Sequence, residues 1–448
     1  MKIIIAGAGD VGFHLAKLLS YESQDIYVID QDSEKLNYLD THLDVISTKG
    51  DATSIQTLLD VGVDRADLLI AVTDSQNTNF TVAVIGKKLG AIKTVARINN
   101  PEFINNPYIN FNDLGLDAVI SPEELAANEI KTLLNRSAFN DSIVFENGEL
   151  NMVGGVLSKG SPILNLSVQQ AKNKFSEIDF ITIAVKRFEE SQTIIPRGDT
   201  IFEMADEVYF SCPKESTSKL HTLIGKEDIP VKNVMILGGS KIGEKSARKL
   251  CQEKYRVKLI EKNKDKAFNL AERLVNTLVI QGDGRDLELL EEENIRDMDA
   301  FIAVTGDSET NIMSCLVAKS KGVKKTIALV ENMDYINISQ TIGIDTLINK
   351  KLLAASEIFK HVRRGEVLAL ANLKHVDAEV LEFEVNENSA VTRNQIKDIK
   401  LSRSAVFGGV IRNSKAMMTF GDFQILAGDK VVVFCLPDAI QDVEELFR

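Results

Sequence analysis

Gly7, Gly9 and Gly12, within Gly7-Ala8-Gly9-Asp10-Val11-Gly12, follow an apolar run and open a stretch of helical period. That spacing suits phosphate binding by main chain. Gly7 permits a tight turn, Gly9 leaves room for a pyrophosphate against the backbone, and Gly12 lets strand and helix pack closely. The first N–H groups of the helix have no partner within it and are offered to the phosphates. Asp30 ends the next apolar run. A carboxylate there can accept both ribose hydroxyls and repels a 2′-phosphate, which favours NAD or an adenosine nucleotide over NADP.

Four further positions each admit two readings. Asp51, after Gly50, is an adenine or ribose contact, or else a turn or helix N-cap aspartate. Thr73 and Asp74 end the fourth strand on the side where ligands gather, and Thr78 and Asn79 then begin a helix, as caps or as contacts. Arg97 ends the fifth strand and either faces a diphosphate or stands as a solvated charge. His14 and His42 have no carboxylate partner at useful spacing, and no His/Asp, Tyr/Lys or Cys/His constellation is evident. A dehydrogenase needs a proton donor or acceptor beside its nicotinamide, so the motif reads as binding without catalysis. An NAD-dependent oxidoreductase is the rival reading.

Such residues need a scaffold that gathers strand ends. Short β-branched runs at Ile3–Ala6, Ile26–Ile29, Val45–Thr48, Leu68–Val72, Thr94–Arg97 and Ala118–Ile120 alternate with stretches of helical period, such as Val11, Leu15, Leu18 and Leu19. This alternation predicts βαβ units in a doubly wound parallel sheet. Ser121-Pro122-Glu123-Glu124 then supplies a cap, a proline at the first helical position and a glutamate three residues after the cap. The helix that follows carries an apolar stripe, Ala126, Ile130 and Leu133, packed on its own sheet or exchanged across a dimer.

The whole unit then recurs. KIIIAGAGDVG returns as NVMILGGSKIG at Asn233 to Gly243, GDAT at Gly50 as GDGR at Gly282, and AVTDSQNTN at Ala71 as AVTGDSETN at Ala303. Each copy precedes a segment of short strands and turns, and these also match: the run from Val185 parallels the run from Val410, each with a Gly-Asp turn and a second Asp before an apolar strand. The order is A-B-A′-B′, with boundaries near Arg136, Gly225 and Arg364. The B segments read as small α+β domains. In A′, Ser240 takes the place of Gly9, Glu261 that of Asp30 and Leu329 that of Arg97, so weaker or different binding is expected there.

Composition narrows the function classes. The chain has 448 residues, 44% hydrophobic and 26% charged, with a net charge of −13, so a general affinity for nucleic acid is not expected. Cys212, Cys251, Cys315 and Cys435 are too scattered for a disulfide framework or zinc ribbon and are expected as reduced thiols. No run approaches the roughly 20 apolar residues that span a bilayer, so work at a membrane would be as a peripheral partner. Lys350, Lys351, Arg363 and Arg364 form a docking patch or complement a helix end.

On these features, and above all on the A-B-A′-B′ order along essentially the whole chain, the sequence resembles the TrkA-type regulatory subunits of bacterial Trk potassium uptake systems. These carry tandem RCK/KTN nucleotide-binding domains, each followed by a TrkA-C domain. The resemblance implies Rossmann-like α/β domains at 1–136 and 231–364 and small α+β TrkA-C domains at 137–225 and 365–448. It implies a non-enzymatic protein, peripheral on the cytoplasmic face of the cell membrane and bound to a potassium-translocating subunit. It also implies a homo-oligomer, a tetrameric ring built from RCK dimers, with NAD(H) or ATP/ADP as gating ligand. Another cation channel or antiporter is the alternative client. The family's ligand positions fall on Gly7, Gly9, Gly12, Asp30, Asp51, Thr73 and Arg97, and in A′ on Gly238, Gly243, Glu261 and Asp283.

Overall fold

The computed structural model describes residues 1–20, 24–103, 108–135, 139, 141–187, 193–226, 231–331, 343–359, 367–372 and 378–447. The expected boundaries at Arg136 and Arg364, together with Arg363, lie outside the described residues.

Strand β1 (Lys2–Ala6) is an uninterrupted apolar run, with Ile3, Ile4 and Ile5 fully buried, and takes the centre of a parallel sheet. Strands β2 (Asp25–Asp30) and β3 (Ile46–Lys49) extend the sheet on one side, and β4 (Leu68–Ala71), β5 (Lys93–Arg97) and β6 (Ala118–Ile120) on the other. The order β3-β2-β1-β4-β5-β6 is the doubly wound arrangement expected. Helices α1 (Asp10–Ser20), α2 (Ser33–His42), α3 (Ile55–Asp60) and α4 (Gln76–Leu89) make the crossovers. Strand order reverses between β1 and β4, and there the carboxyl ends of the strands leave a crevice.

The second repeat copies this sheet. Asn233–Leu237 lies beside Arg256–Glu261 and then Thr277–Gln281, and on its other side beside Ala300–Ala303, Lys325–Leu329 and Thr346–Ile348. The two B segments also share one topology, a five-stranded sheet in the order fourth, third, fifth, second, first. In each, the second Asp of the repeated pattern is a buried partner of arginine. Asp206 takes Arg187 at 2.5 Å, and Asp429 takes Arg412 through Nε and Nη2 at 2.8 Å each. The two B sheets join in one core, where Leu150, Met152 and Tyr209 pack with Val380, Val432 and Phe434.

The chain forms two compact units, one holding Met1–Asn128 together with the helix at Lys350–Phe359, the other most of the remainder. Within the first, helix Lys350–Phe359 packs along α1, and Lys351 Nζ meets Asp10 Oδ2 at 2.7 Å. Within the second, the end of helix α5 (Pro122–Asn135) joins the A′ repeat: Lys131 Nζ reaches Glu253 Oε1 at 2.6 Å, and the Tyr255 hydroxyl donates to Asn135 Oδ1 at 2.5 Å. Lys350 and Lys351 open their helix rather than close it, so they complement no dipole. They are held instead by Glu331, at 2.8 and 3.7 Å, and by Asp10.

Candidate functional site

The turn between β1 and α1 is built by its glycines. Gly7 has φ +113°, and a Cβ on it would sit 2.9 Å from Thr73 N. A Cβ on Gly12 would lie 1.9 Å from Gly7 O, so only hydrogen fits where helix crosses strand. At Gly9 a Cβ would meet no atom within 4 Å. Space beside the main chain is therefore kept at the one glycine that packing does not require. Asp30 closes the turn from the next strand: Ala8 N–H donates to its Oδ2 at 2.6 Å and Asp32 N–H to its Oδ1 at 2.9 Å. Each oxygen retains a lone pair for a further donor.

Beyond the turn lies a cavity of about 270 Å³ whose lining includes Gly7, Gly9, Asp30, Asp51, Thr73 and Thr78. All but Thr78, which lies in the first turn of α4, come from the ends of β1, β2, β3 and β4, as the sheet reversal requires. Asp51 is a turn aspartate as well, accepting from Thr53 N–H at 2.8 Å and Thr53 Oγ1 at 2.7 Å. Those bonds, first the backbone and then the hydroxyl, with a smaller contribution from Gln31, hold its carboxyl below the usual range. The cap of α3 is Ser54, which accepts from Thr57 N–H at 3.4 Å.

Thr78 and Asn79 do not cap α4; Ser75 does, accepting from Thr78 N–H at 3.3 Å. Thr78 lines the cavity, and Asn79 is a fully buried tie between strand ends. Its Oδ1 accepts from Thr73 N–H at 2.8 Å and Thr73 Oγ1 at 2.6 Å, while its Nδ2 donates to the carbonyls of Thr73 at 3.0 Å and Arg97 at 2.9 Å. The pattern signals this role, since Thr305 and Asn311 repeat it in A′ at 2.9 and 2.7 Å.

Arg97 is neither solvated nor part of the lining. Its side chain is 19% exposed and reaches Asp74, a lining residue, at 3.9 Å. Ala8, Asp10, Val11 and Gly12 contribute the turn and the helix start without lining the cavity. Sequence reading missed Gln31 and Lys35, both in the lining. Lys35 has no ion-pair partner among the described residues and is the one cation of the lining, facing Asp30, Asp51 and Asp74. Its signal was its place on the first turn after Asp30. His14 is half-buried in α1, and desolvation, then Lys17 and Lys351, depress its pKa, so it is a neutral packing residue.

The second repeat keeps the turn. Gly238 has φ +102°, and a Cβ on Gly243 would lie 2.0 Å from Gly238 O. Ser240 caps the helix, accepting from Gly243 N–H at 3.2 Å and donating to Val304 O at 2.7 Å. Glu261 accepts from Gly239 N–H at 3.0 Å and Asn263 N–H at 2.8 Å, and pairs with Lys266 at 3.2 Å. Burial raises its pKa, but the Asn263, Lys266 and Gly239 donors outweigh this and keep it charged. Asp283, held far below the usual range by Arg285 and then Lys262, takes Arg285 Nε at 3.0 Å and Nη2 at 2.7 Å and Lys262 at 3.0 Å.

Comparison with known proteins agrees with this architecture. The TrkA-N domain model matches residues 3–122 and 234–350, and the TrkA-C domain model residues 156–225 and 380–448. The Trk system potassium uptake protein TrkA of Vibrio alginolyticus is 33% identical over 455 residues, covering 100% of this chain and 99% of the relative. That of Halomonas elongata is 32% identical over 454 residues, with the same coverage. Among solved structures, the GsuK RCK domain superposes with a TM-score of 0.61 at 15% identity, covering 100% of this chain and 94% of that one. The GsuK channel bound to NAD does so at 0.62 and 14%, covering 100% and 78%. These structures share the fold. With both repeats matched by TrkA-N and TrkA-C and whole-length relatives above 30% identity, the chain belongs to the TrkA family.

Proposed function

We propose that the first repeat takes an adenine nucleotide, NAD(H) or ATP/ADP, as a regulatory ligand. Through it the chain controls potassium flux through the membrane subunit of a Trk-type uptake system. The observation that carries this reading is the crevice at the sheet reversal, where a glycine turn, a helix N-terminus and Asp30 converge with room left at Gly9. The main chain from Gly7 to Gly12 receives the diphosphate, Asp30 the ribose, and Asp51, Thr73 and Thr78 the remaining polar edges. Arg97 bears on the ligand through Asp74.

The relatives are named for potassium uptake, and GsuK structures of the same fold carry NAD and ADP in their descriptions. The chain is a regulator and not an enzyme. No described helix is long and apolar enough to cross a membrane, in keeping with a peripheral subunit on the cytoplasmic face. The assembly is a homo-oligomeric ring, a tetramer, with A and A′ as its nucleotide-binding type domains and B and B′ as its TrkA-C domains. Ligand shifts gating only by its difference in affinity for two arrangements, typically about 1–3 kcal/mol.

The test is a nucleotide titration of the purified chain followed by ion flux through its co-isolated membrane partner. Asp30→Ala is expected to weaken both binding and flux control. Unchanged binding, or conversion of the nucleotide to product, overturns the reading.

A further inference from the structure

The two repeats differ around the place where a nucleotide would lie. Ala6 becomes Leu237, Gly9 becomes Ser240 and Asp30 becomes Glu261, each adding atoms, while the lining residues Ala52 and Asp74 become Gly284 and Gly306. A Cβ on Gly284 would meet Leu237 Cδ1 at 2.1 Å, so the leucine occupies the space above that glycine. A Cβ on Gly239, the counterpart of Ala8, would meet Leu270 Cδ1 at 2.4 Å and Glu261 Oε2 at 2.8 Å. The longer carboxylate and the smaller loop residue have thus changed together.

The polar groups are used up as well. Lys266 is the counterpart of Lys35, which has no ion-pair partner among the described residues; Lys266 itself is paired with Glu261 at 3.2 Å. Ser240 Oγ takes the Gly243 N–H at the helix start, where Gly9 brings no side chain. Asp283 is covered by Arg285 and Lys262, whereas its counterpart Asp51 is bonded by Thr53 and lines the cavity.

We infer that the ligand positions of the second repeat are engaged by its own side chains, with the Lys266–Glu261 pair and Ser240 standing where the ligand stands in the first, so that each chain takes up a single nucleotide. This rests on the nucleotide reading of the first repeat. Engagement of this kind leaves A alone answering to ligand concentration.

Equilibrium dialysis of the full-length protein against NAD, and separately against ATP, measures the number of sites. One equivalent per chain is expected. It should be lost, by more than about tenfold in affinity, in Asp30→Ala, which removes a charged hydrogen-bond acceptor. Because Asp30 also holds the turn, Gly9→Val serves as the second variant: a Cβ there meets no protein atom within 4 Å and enters the space kept beside the main chain, so the variant should fold and fail to bind. Glu261→Gln should retain one equivalent at unchanged affinity. Two equivalents in the wild type, or one that survives Asp30→Ala and Gly9→Val and vanishes in Glu261→Gln, overturn the inference while leaving nucleotide binding standing. No uptake by the wild type at saturating nucleotide overturns the nucleotide reading, and this inference with it.

Discussion

Ala6 and Leu237 occupy the same place in two copies of one sheet, at the end of the central strand, and their surroundings have diverged to suit them. Beside Ala6 the chain packs Ala52 and keeps carboxylates with capacity to spare. Beside Leu237 it has Gly284 and carboxylates bonded by lysine, arginine and backbone donors. What has not diverged is equally instructive. The positive-φ glycine, the glycine at the helix crossing and the buried asparagine tie persist in both. The shared residues include those the fold needs, and among the differing ones Gly9, Asp30, Ala52 and Asp74 line the cavity of the first repeat.

The sharpest way to break that comparison is at the crossing glycines. Gly12→Val and Gly243→Val each push a side chain against a backbone carbonyl that cannot swing away, and each should cost about 3 kcal/mol or more. Thermal unfolding should show equal losses; sensitivity in one repeat alone would mean that the glycines do not share a packing role. Next in size is ligand stabilisation. Nucleotide at a hundred times its wild-type Kd should add about 2.7 kcal/mol to the wild type and to Glu261→Gln, and less than about 1.4 kcal/mol to Asp30→Ala. A melting shift that survives Asp30→Ala undiminished contradicts the assignment.

The buried ties should be somewhat cheaper to remove. Asn79→Ala and Asn311→Ala each strand backbone groups at strand ends, for about 2 kcal/mol apiece in urea unfolding, and the two values should agree. Acid provides a smaller test. Burial raises the pKa of Asp345, but Lys319 at 2.6 Å, Lys325 and Thr326 outweigh it and hold the carboxyl below its ordinary range. Its contribution to stability is thus complete above about pH 4 and is lost as pH falls further, at no more than about 1.4 kcal/mol per pH unit. Asp345→Asn should flatten that acid limb in a pH series of unfolding midpoints; an unchanged limb counts against the pairing. Smallest of all is Lys351→Ala. Its partner Asp10 is 71% exposed, so the loss should stay under about 1 kcal/mol and shrink with added salt.

Much of the architecture was legible because it is written locally. Unbroken runs such as Ile3 to Ala6 can only be strands covered on both faces, and Gly7-Ala8-Gly9-Asp10-Val11-Gly12 needs no distant residue to declare its turn. Asn79 stayed between cap and contact because a residue near a helix start looks the same whether its side chain turns to its own backbone or to the next strand. The caps that do form, Ser75 and Ser54, lie a few residues earlier. Arg97 stayed between two readings and Lys35 was missed for one reason: the length of a charged side chain lets its head settle beside whichever carboxylate the fold provides.

The order of residues alone determined the repeat, the parallel sheets, the glycine turn and the acid that faces it, since each depends on neighbours within a few positions or on alternation along the chain. Tertiary structure alone decided that the last helix of A′ lies along α1 and that the B sheets share a core. It also decided that Leu237 lies over Gly284 and Leu270 against Gly239, where the first repeat carries the methyls of Ala52 and Ala8, while Gly9 keeps open space. Occupancy of a volume belongs to no single residue. It is settled by side chains converging from separate strands and helices, where close packing makes one methyl group enough to admit or exclude a ligand.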